Sequence, residues 1–376
     1  MMKKFYLIVL IALMGLLLSC EEKEVEKEVL PSNYAEFWGF SNNLYPIYNK
    51  TAFFYCSPNG EILLAFKNVD WGGHFFQERA FLGKITGAGD YKYSVIDEDG
   101  NIIVSPTYSD VGHYSKEKLA NVKKYNHWGY ITLEGEEQIP FVYDDAKAFH
   151  EHLAPVKRVD KWGYVDRTGN LYIDCQYDYA GIFNEGLAPV LSEMRYGFIG
   201  INGEMVVEPM YYGASIFTNN LAAVYDGYGW GYITKENKIA IPNKYEYAYP
   251  FFEDLAAVKK EGKYGFIDID GNFQIENNYD MTFWFSEDLA AVLVNDQWGY
   301  IDKEGNMVID PQFLYADDFV NGMAYVLFDE YHHGYINKTG DIVVKFRFAD
   351  EEYYKNIKKE KLGDPHKRLT KRVLKN

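Results

Sequence analysis

Cysteine is nearly missing from this chain: Cys20, Cys56 and Cys175 are the three in 376 residues. Three cysteines cannot build a disulfide framework, so burial and hydrogen bonding must hold the fold. Cys56 and Cys175 are expected as buried free thiols, with a single bridge between them as the alternative. Positive charge is also short. Lys and Arg number 38 against 55 Asp and Glu, a net charge of -17. Such a body repels phosphate backbones, which argues against nucleic acid as a partner. Long apolar runs are missing too. The longest, Phe5 to Leu18, has fourteen residues, short of the roughly 20 that span a bilayer. Recognised catalytic motifs are lacking: there is no Gly-x-Ser-x-Gly, no His-Glu-x-x-His and no phosphate loop.

What the chain has is aromatic residues at 18%, with 34 Tyr, set on a strict beat. An aromatic–Gly–aromatic step recurs at Trp128-Gly129, Trp162-Gly163, Tyr196-Gly197, Trp230-Gly231, Tyr264-Gly265, Trp298-Gly299 and His333-Gly334. The spacing is 34 residues throughout and 35 at the last step. A Leu-Ala-x-Val element keeps the same period from Leu119 to Leu289, and Phe149, Phe183, Phe217, Phe251, Phe285 and Phe319 precede it by four. Weaker copies start at Phe53 and Tyr93, making nine in all. A repeat this regular decides the fold ahead of any local reading.

One unit reads as β-structure. Leu289 to Val294 is a short apolar strand and Asn295-Asp296-Gln297 a turn. Trp298 to Asp302 is a second strand, and Lys303-Glu304-Gly305-Asn306 a hairpin turn with Gly305 where φ must be positive. Asn306 to Ile309 is a third strand, stopped by Pro311. The dozen residues through Tyr315 and Phe319 read as a connector. Helices at this period fail, because each would carry a glycine turn inside it. The expectation is an all-β chain of tandem three-stranded antiparallel repeats stacked as an open solenoid-like array, with a closed propeller-like ring as the alternative.

The Trp-Gly-Tyr-Ile-Asp-x-x-Gly-Asn unit resembles the bacterial WG repeat. The resemblance covers 93–345 and reaches Leu44 in weakened form. It implies a tandem all-β array and no particular reaction. His333 departs from the pattern, which suggests that the last unit is a cap.

Lys3 and Lys4 precede the apolar run, and Leu17-Leu18-Ser19-Cys20 follows it. This arrangement resembles a bacterial lipobox, which implies cleavage before Cys20, its diacylation and a membrane anchor. The expected divisions are a signal peptide at 1–19, a lipidated cysteine and acidic tether at 20–30, degenerate repeats at 31–92, the array at 93–345 and a basic tail at 346–376. Localisation is then the cell envelope, periplasmic or at the cell surface.

Residues that could carry chemistry have simpler uses. Asp268-Ile269-Asp270-Gly271-Asn272 and Asp97-Glu98-Asp99-Gly100-Asn101 lack the distal ligand of a calcium loop and read as capped turns. His150-Glu151-His152 and His332-His333 have no recurring acid or Cys partner, so they read as surface histidines and no metal or cofactor is expected. The signature Trp, Tyr and Gly residues at 128–129, 162–163, 196–197, 230–231, 264–265 and 298–299 read as structural. The sequence therefore points to a monomeric, non-catalytic binding scaffold for a protein partner. A glycan bound by exposed rings is the alternative. Variation between units, as at Asn295-Asp296-Gln297 and its counterparts, marks where function should lie.

Overall fold

The computed structural model describes residues 44–48, 52–87 and 90–347. The expected signal peptide, Cys20, the tether and most of the basic tail lie outside the described residues.

The repeats form a nine-bladed β-propeller rather than an open array. Nine antiparallel sheets follow one another, eight of four strands and one of three. Numbered in chain order, the blades are 45–67, 71–108, 110–143, 145–177, 179–211, 213–245, 247–279, 281–313 and 315–347. Blade 2 straddles the boundary expected at 92/93. Blade 1 contributes Tyr45–Tyr48, Ala52–Cys56 and Ile62–Lys67, the counterparts of the second to fourth strands elsewhere.

Three expectations change. The stretch read as a connector holds a strand of two residues, Tyr315–Ala316, which pairs with Leu327 and Val326 and opens the next blade. Blades 2 to 9 are therefore four-stranded. The strand after the hairpin turn does not stop at Pro311 but runs Met307–Phe313. Proline is tolerated there because this is the edge strand of its sheet, where a missing N–H costs little. The third change is closure. Blade 9 is not a cap: Tyr45, Ile47, Phe54 and Cys56 of blade 1 form one core with Tyr315, Met323, Tyr325, Leu327, Tyr335 and Val344 of blade 9.

The same ring contact repeats at the six junctions from blade 3 to blade 9. The second aromatic of the signature packs on the beat phenylalanine of the next blade. Ring centroids are 4.9 Å apart for Tyr130–Phe149, 4.8 Å for Tyr164–Phe183 and 4.8 Å for Tyr300–Phe319. Such pairs stabilise by about 1 kcal/mol beyond area burial. The tyrosine hydroxyl then donates to a backbone carbonyl of that next blade: Tyr130 to Lys147 at 2.7 Å, Tyr164 to Gly181 at 2.8 Å and Tyr232 to Tyr249 at 2.7 Å. Burial without such a partner would cost several kcal/mol, so the bond fixes the register of one blade on the next.

Gly299 shows why the signature needs glycine. The third and fourth strands shift register around it, from Trp298↔Phe313 to Tyr300↔Ile309. A Cβ there would stand 2.5 Å from the Ile309 carbonyl oxygen and 2.7 Å from Pro311 N. The turn glycine has a separate role. Gly305 has φ +82°, and its α-carbon faces Ile275 of the preceding blade. Asn237 holds the equivalent place with φ 57°.

Candidate functional site

Strand alternation gives the ring two faces. The first carries the turns between strands one and two of blades 2 to 9 and those between strands three and four of every blade. The second carries the turns between strands two and three and the links to the next blade, three residues long after blade 1 and one residue elsewhere.

The first face is taken up by holding blades together. Glu117, Glu151, Glu185, Glu253 and Glu287 keep the 34-residue beat, with Asn219 at the intervening place. Each carboxylate reaches forward to the same turn of the next blade and accepts backbone N–H bonds. Glu151 accepts Gly186 N at 2.9 Å, and Glu185 accepts Asn220 N at 2.9 Å. Glu253 accepts Glu287 N at 2.7 Å and Asp288 N at 2.9 Å, and Glu287 accepts Gly322 N at 2.8 Å. Lysines of the next blade add charge: Lys235–Glu185 at 3.3 Å, Lys303–Glu253 at 3.1 Å and Lys338–Glu287 at 3.3 Å. Charged acceptors of this kind make the stronger hydrogen bonds of a fold. This carboxylate row was open to reading in the sequence, since it shares the signature's period.

The acidic turns on this face are satisfied internally. Asp268 Oδ1 accepts Asp270 N at 3.0 Å and Asn272 N at 2.9 Å, and Asp302 Oδ1 accepts Asn306 N at 2.8 Å. Among the described residues no three His, Cys, Asp or Glu come together as a metal-binding group. The histidines divide. His152 is exposed, as expected. His150 is half-buried, and burial pulls its imidazole below the ordinary range. His333 departs outright from the surface reading: it is fully buried, its ring 5.9 Å from that of Tyr325, because it fills the signature tryptophan's place inside the blade. Cys56 is buried and Cys175 half-buried, both as free thiols.

The signature aromatics are not a surface feature. Trp128, Trp162, Tyr264 and Trp298 are buried, while Tyr196 and Trp230 are half-buried. Trp298 stacks on Phe283 at 5.1 Å, and Trp230 sits between Tyr225 and Tyr247 at 5.7 and 5.3 Å. Their glycine partners Gly129, Gly163, Gly197, Gly231, Gly265 and Gly299 all lie against fourth-strand backbone.

The second face is different in kind. Its turns between strands two and three are the variable positions of the repeat, and on blades 3 to 6 they carry exposed apolar tips. Tyr125 is 81% exposed, Val159 82%, Met194 78% and Tyr228 97%. On blades 7 and 8 the same turns present Glu261-Gly262 and Asn295-Asp296. Tyr228 is displayed by an altered turn, Asp226-Gly227-Tyr228-Gly229. Asp226 Oδ1 accepts Tyr228 N at 2.8 Å and Gly229 N at 3.0 Å, and these bonds hold its carboxyl below the usual range. Gly227 has φ +104°, and a Cβ on it would lie 3.0 Å from the Tyr212 ring. The same ring carries Arg195, its guanidinium carbon 3.5 Å from the centroid and Nη1 donating to Met194 O at 3.0 Å. Stacking of this sort presets an arginine for contact.

Carboxylates are interspersed on this face. Asp144 accepts Val159 N at 2.8 Å, Asp160 pairs with Lys157 at 3.4 Å, and Asp178 pairs with Lys161 at 2.5 Å. The hydrogen bond from Lys161 holds the Asp178 carboxyl below its ordinary range. Arrayed aromatic, Met and Arg side chains beside patterned charge can bind a surface.

Comparison with known proteins agrees with this architecture. The family described as "WG containing repeat" matches residues 93–126, 128–162, 162–192, 196–228, 230–264, 264–298, 298–331 and 334–350. No curated protein matches the chain by sequence. Among solved structures, one titled as the eukaryotic initiation factor is similar at TM-score 0.53 and 10% identity, over 73% of this chain and 86% of that one. BamB from Moraxella catarrhalis is similar at TM-score 0.40 and 10% identity, over 73% of this chain and 94% of that one. At 10% identity the likeness to the initiation-factor structure concerns the fold alone.

Proposed function

We propose a scaffold role for this chain, which belongs to the family of proteins built from WG containing repeats. On this reading it is a non-catalytic binding protein of the bacterial cell envelope, held to a membrane through lipidated Cys20. It acts as a monomer in the periplasm or at the cell surface and presents its second face to a protein partner. The observation that carries the reading is the row of exposed tips, Tyr125, Val159, Met194 and Tyr228, beside the Arg195–Tyr212 stack. Tyr, Met and Arg are the side chains that protein interfaces concentrate, and a rigid platform loses little entropy on docking. The first face supports the absence of catalysis, since its carboxylates are spent on backbone N–H groups and lysines.

A glycan partner is the second reading. It rests on Tyr212 and Tyr228, which expose ring surface on the same turn face. The signature tryptophans lend it little, since Trp128, Trp162 and Trp298 are buried and Trp230 is half-buried between two tyrosines.

The test is capture from envelope lysate with residues 31–376, run beside a glycan array. Capture that Met194→Ser with Tyr228→Ser abolishes is expected. Binding to the array alone would sink the protein-partner reading. Cys20→Ala should release the protein from membranes; continued attachment would refute the lipid anchor.

A further inference from the structure

We infer that the partner on the second face is an acidic, apolar polypeptide segment laid across blades 3 to 6. The inference rests on the reading just proposed and names the chemistry of its partner.

The charge around the tips carries the argument. This is a chain of net charge -17, yet a cation adjoins each apolar tip on three successive blades. Lys124 precedes Tyr125, Arg158 precedes Val159, and Arg195 follows Met194. Other lysines on the same turns are neutralised, Lys157 by Asp160 and Lys161 by Asp178. Lys124, Arg158 and Arg195 have no carboxylate within ion-pair distance among the described residues. Two of them rest on aromatic faces instead: Lys124 is 5.0 Å from the Tyr125 centroid, and Arg195 is 3.5 Å from that of Tyr212. A guanidinium stacked in this way keeps its N–H edges outward, where a carboxylate can take two bonds.

The interspersed acids decide between a polypeptide and a lipid surface. Asp144, Asp160 and Asp178 stand between the cations on the same face, Glu193 shares the turn of Met194, and Asp226 lies beyond them on blade 6. A uniformly anionic bilayer would meet them as well as Lys124, Arg158 and Arg195, and like charge set against like charge is costly. A polypeptide can match the pattern, placing carboxylates at the three cations and apolar side chains at the tips. Patterned charge of this type confers partner choice.

The experiment uses the full chain with Cys20→Ala, so that no lipid is attached, and short random peptides displayed on phage. Selected peptides are expected to combine Asp or Glu with Leu, Ile, Phe or Tyr. Their affinity should fall about tenfold or more in Arg158→Glu with Arg195→Glu, as for close interfacial charge pairs. Replacing the peptide carboxylates by lysine should restore binding to that reversed variant. The substituted side chains lie at exposed turns, and a thermal melt by circular dichroism confirms that each variant folds. Peptides without acidic residues, or peptides that bind the reversed variant equally well, overturn the inference. If Met194→Ser with Tyr228→Ser abolishes such binding, the docking face stands and only its acidic partner falls. If no peptide is selected and the chain sediments with vesicles of phosphatidylglycerol and phosphatidylethanolamine, a lipid surface replaces the polypeptide. If neither probe binds, the docking reading falls as well.

Discussion

The hydroxyl of Tyr335 donates to the carbonyl of Pro46 at 3.2 Å, across 289 residues of sequence. It is the bond that Tyr300 makes to Asp317 at 2.7 Å between neighbouring blades, repeated where the last blade meets the first. Tyr45 adds a second tie, its ring 5.3 Å from that of Tyr335 and its hydroxyl 2.6 Å from Asn321 O. Removing the hydroxyl leaves a buried carbonyl without its donor. Tyr335→Phe and Tyr300→Phe should each cost about 1 kcal/mol in urea unfolding. The expected loss is small because Phe198 and Phe266 already occupy the place in two blades. A loss above about 3 kcal/mol at Tyr335 would mean that closure depends on that one bond.

Glu287 should matter more. Its side chain is almost fully buried, accepts Gly322 N at 2.8 Å and pairs with Lys338 at 3.3 Å. Glu287→Ala strands both partners and should cost about 2 kcal/mol or more. Glu287→Gln keeps an acceptor and should cost roughly half as much. Urea midpoints at constant slope measure both. Equal losses would show that the negative charge, not the hydrogen bond, holds the junction.

The turn glycines offer a test of backbone strain. Gly305→Ala puts a Cβ on a residue at φ +82° and should destabilise by about 1 kcal/mol. Gly305→Asn should cost less, because Asn237 occupies the equivalent turn at φ 57°. The reverse order in thermal melts would contradict the left-handed geometry.

Cys56 should be inert in the folded chain. It is fully buried, and burial pushes its thiol up to about 12. At pH 8 a disulfide reagent should titrate Cys56 only after denaturant is added, because the thiolate is the reacting form. Fast labelling of Cys56 without denaturant would place blade 1 out of the ring. Cys175, half-buried, should react at an intermediate rate.

His150 predicts an acid limb of the stability curve. Burial lowers its affinity for protons below the ordinary value of 6.5, against the opposing charges of Glu151 and Glu117 and with Lys116 assisting. The unfolded chain then takes up a proton near 6.5 that the folded chain refuses until lower pH. The contribution is complete above the unfolded value and is lost as pH falls through the folded one. His150→Asn, the residue found at position 184 of the next blade, should flatten that limb in denaturation curves between pH 7 and 5.

Much of this was legible in the sequence, and the rest was hidden for physical reasons. The 34-residue beat located every Trp298-type strand, and Gly305-type turns marked the hairpins. Tyr315–Ala316 went unread because two residues cannot display a period of two. Closure stood only as the alternative to an open array, because a repeat interval says nothing about the angle between successive units; it is Tyr45 beside Tyr335 that decides for the ring. The turn face was legible as a set of variable positions around Asn295 and its counterparts. That Tyr125, Val159, Met194 and Tyr228 share one side of a ring required the topology. The Glu117-to-Glu287 row was in plain view, disguised as ordinary surface charge.

Closure also constrains how such a chain can change in length. Nine equal steps complete the circle, so each blade turns the chain by one ninth of a revolution. In an open stack a duplicated or lost repeat merely shifts the end. Here a slip of 34 residues in the coding sequence would ask every junction to adopt a new angle at once, with each Tyr–carbonyl bond and each glutamate reach re-spaced together. Copy number is thus set by the geometry of the junction, and drift in this lineage should run through substitutions at the turn tips far more readily than through gain or loss of whole units.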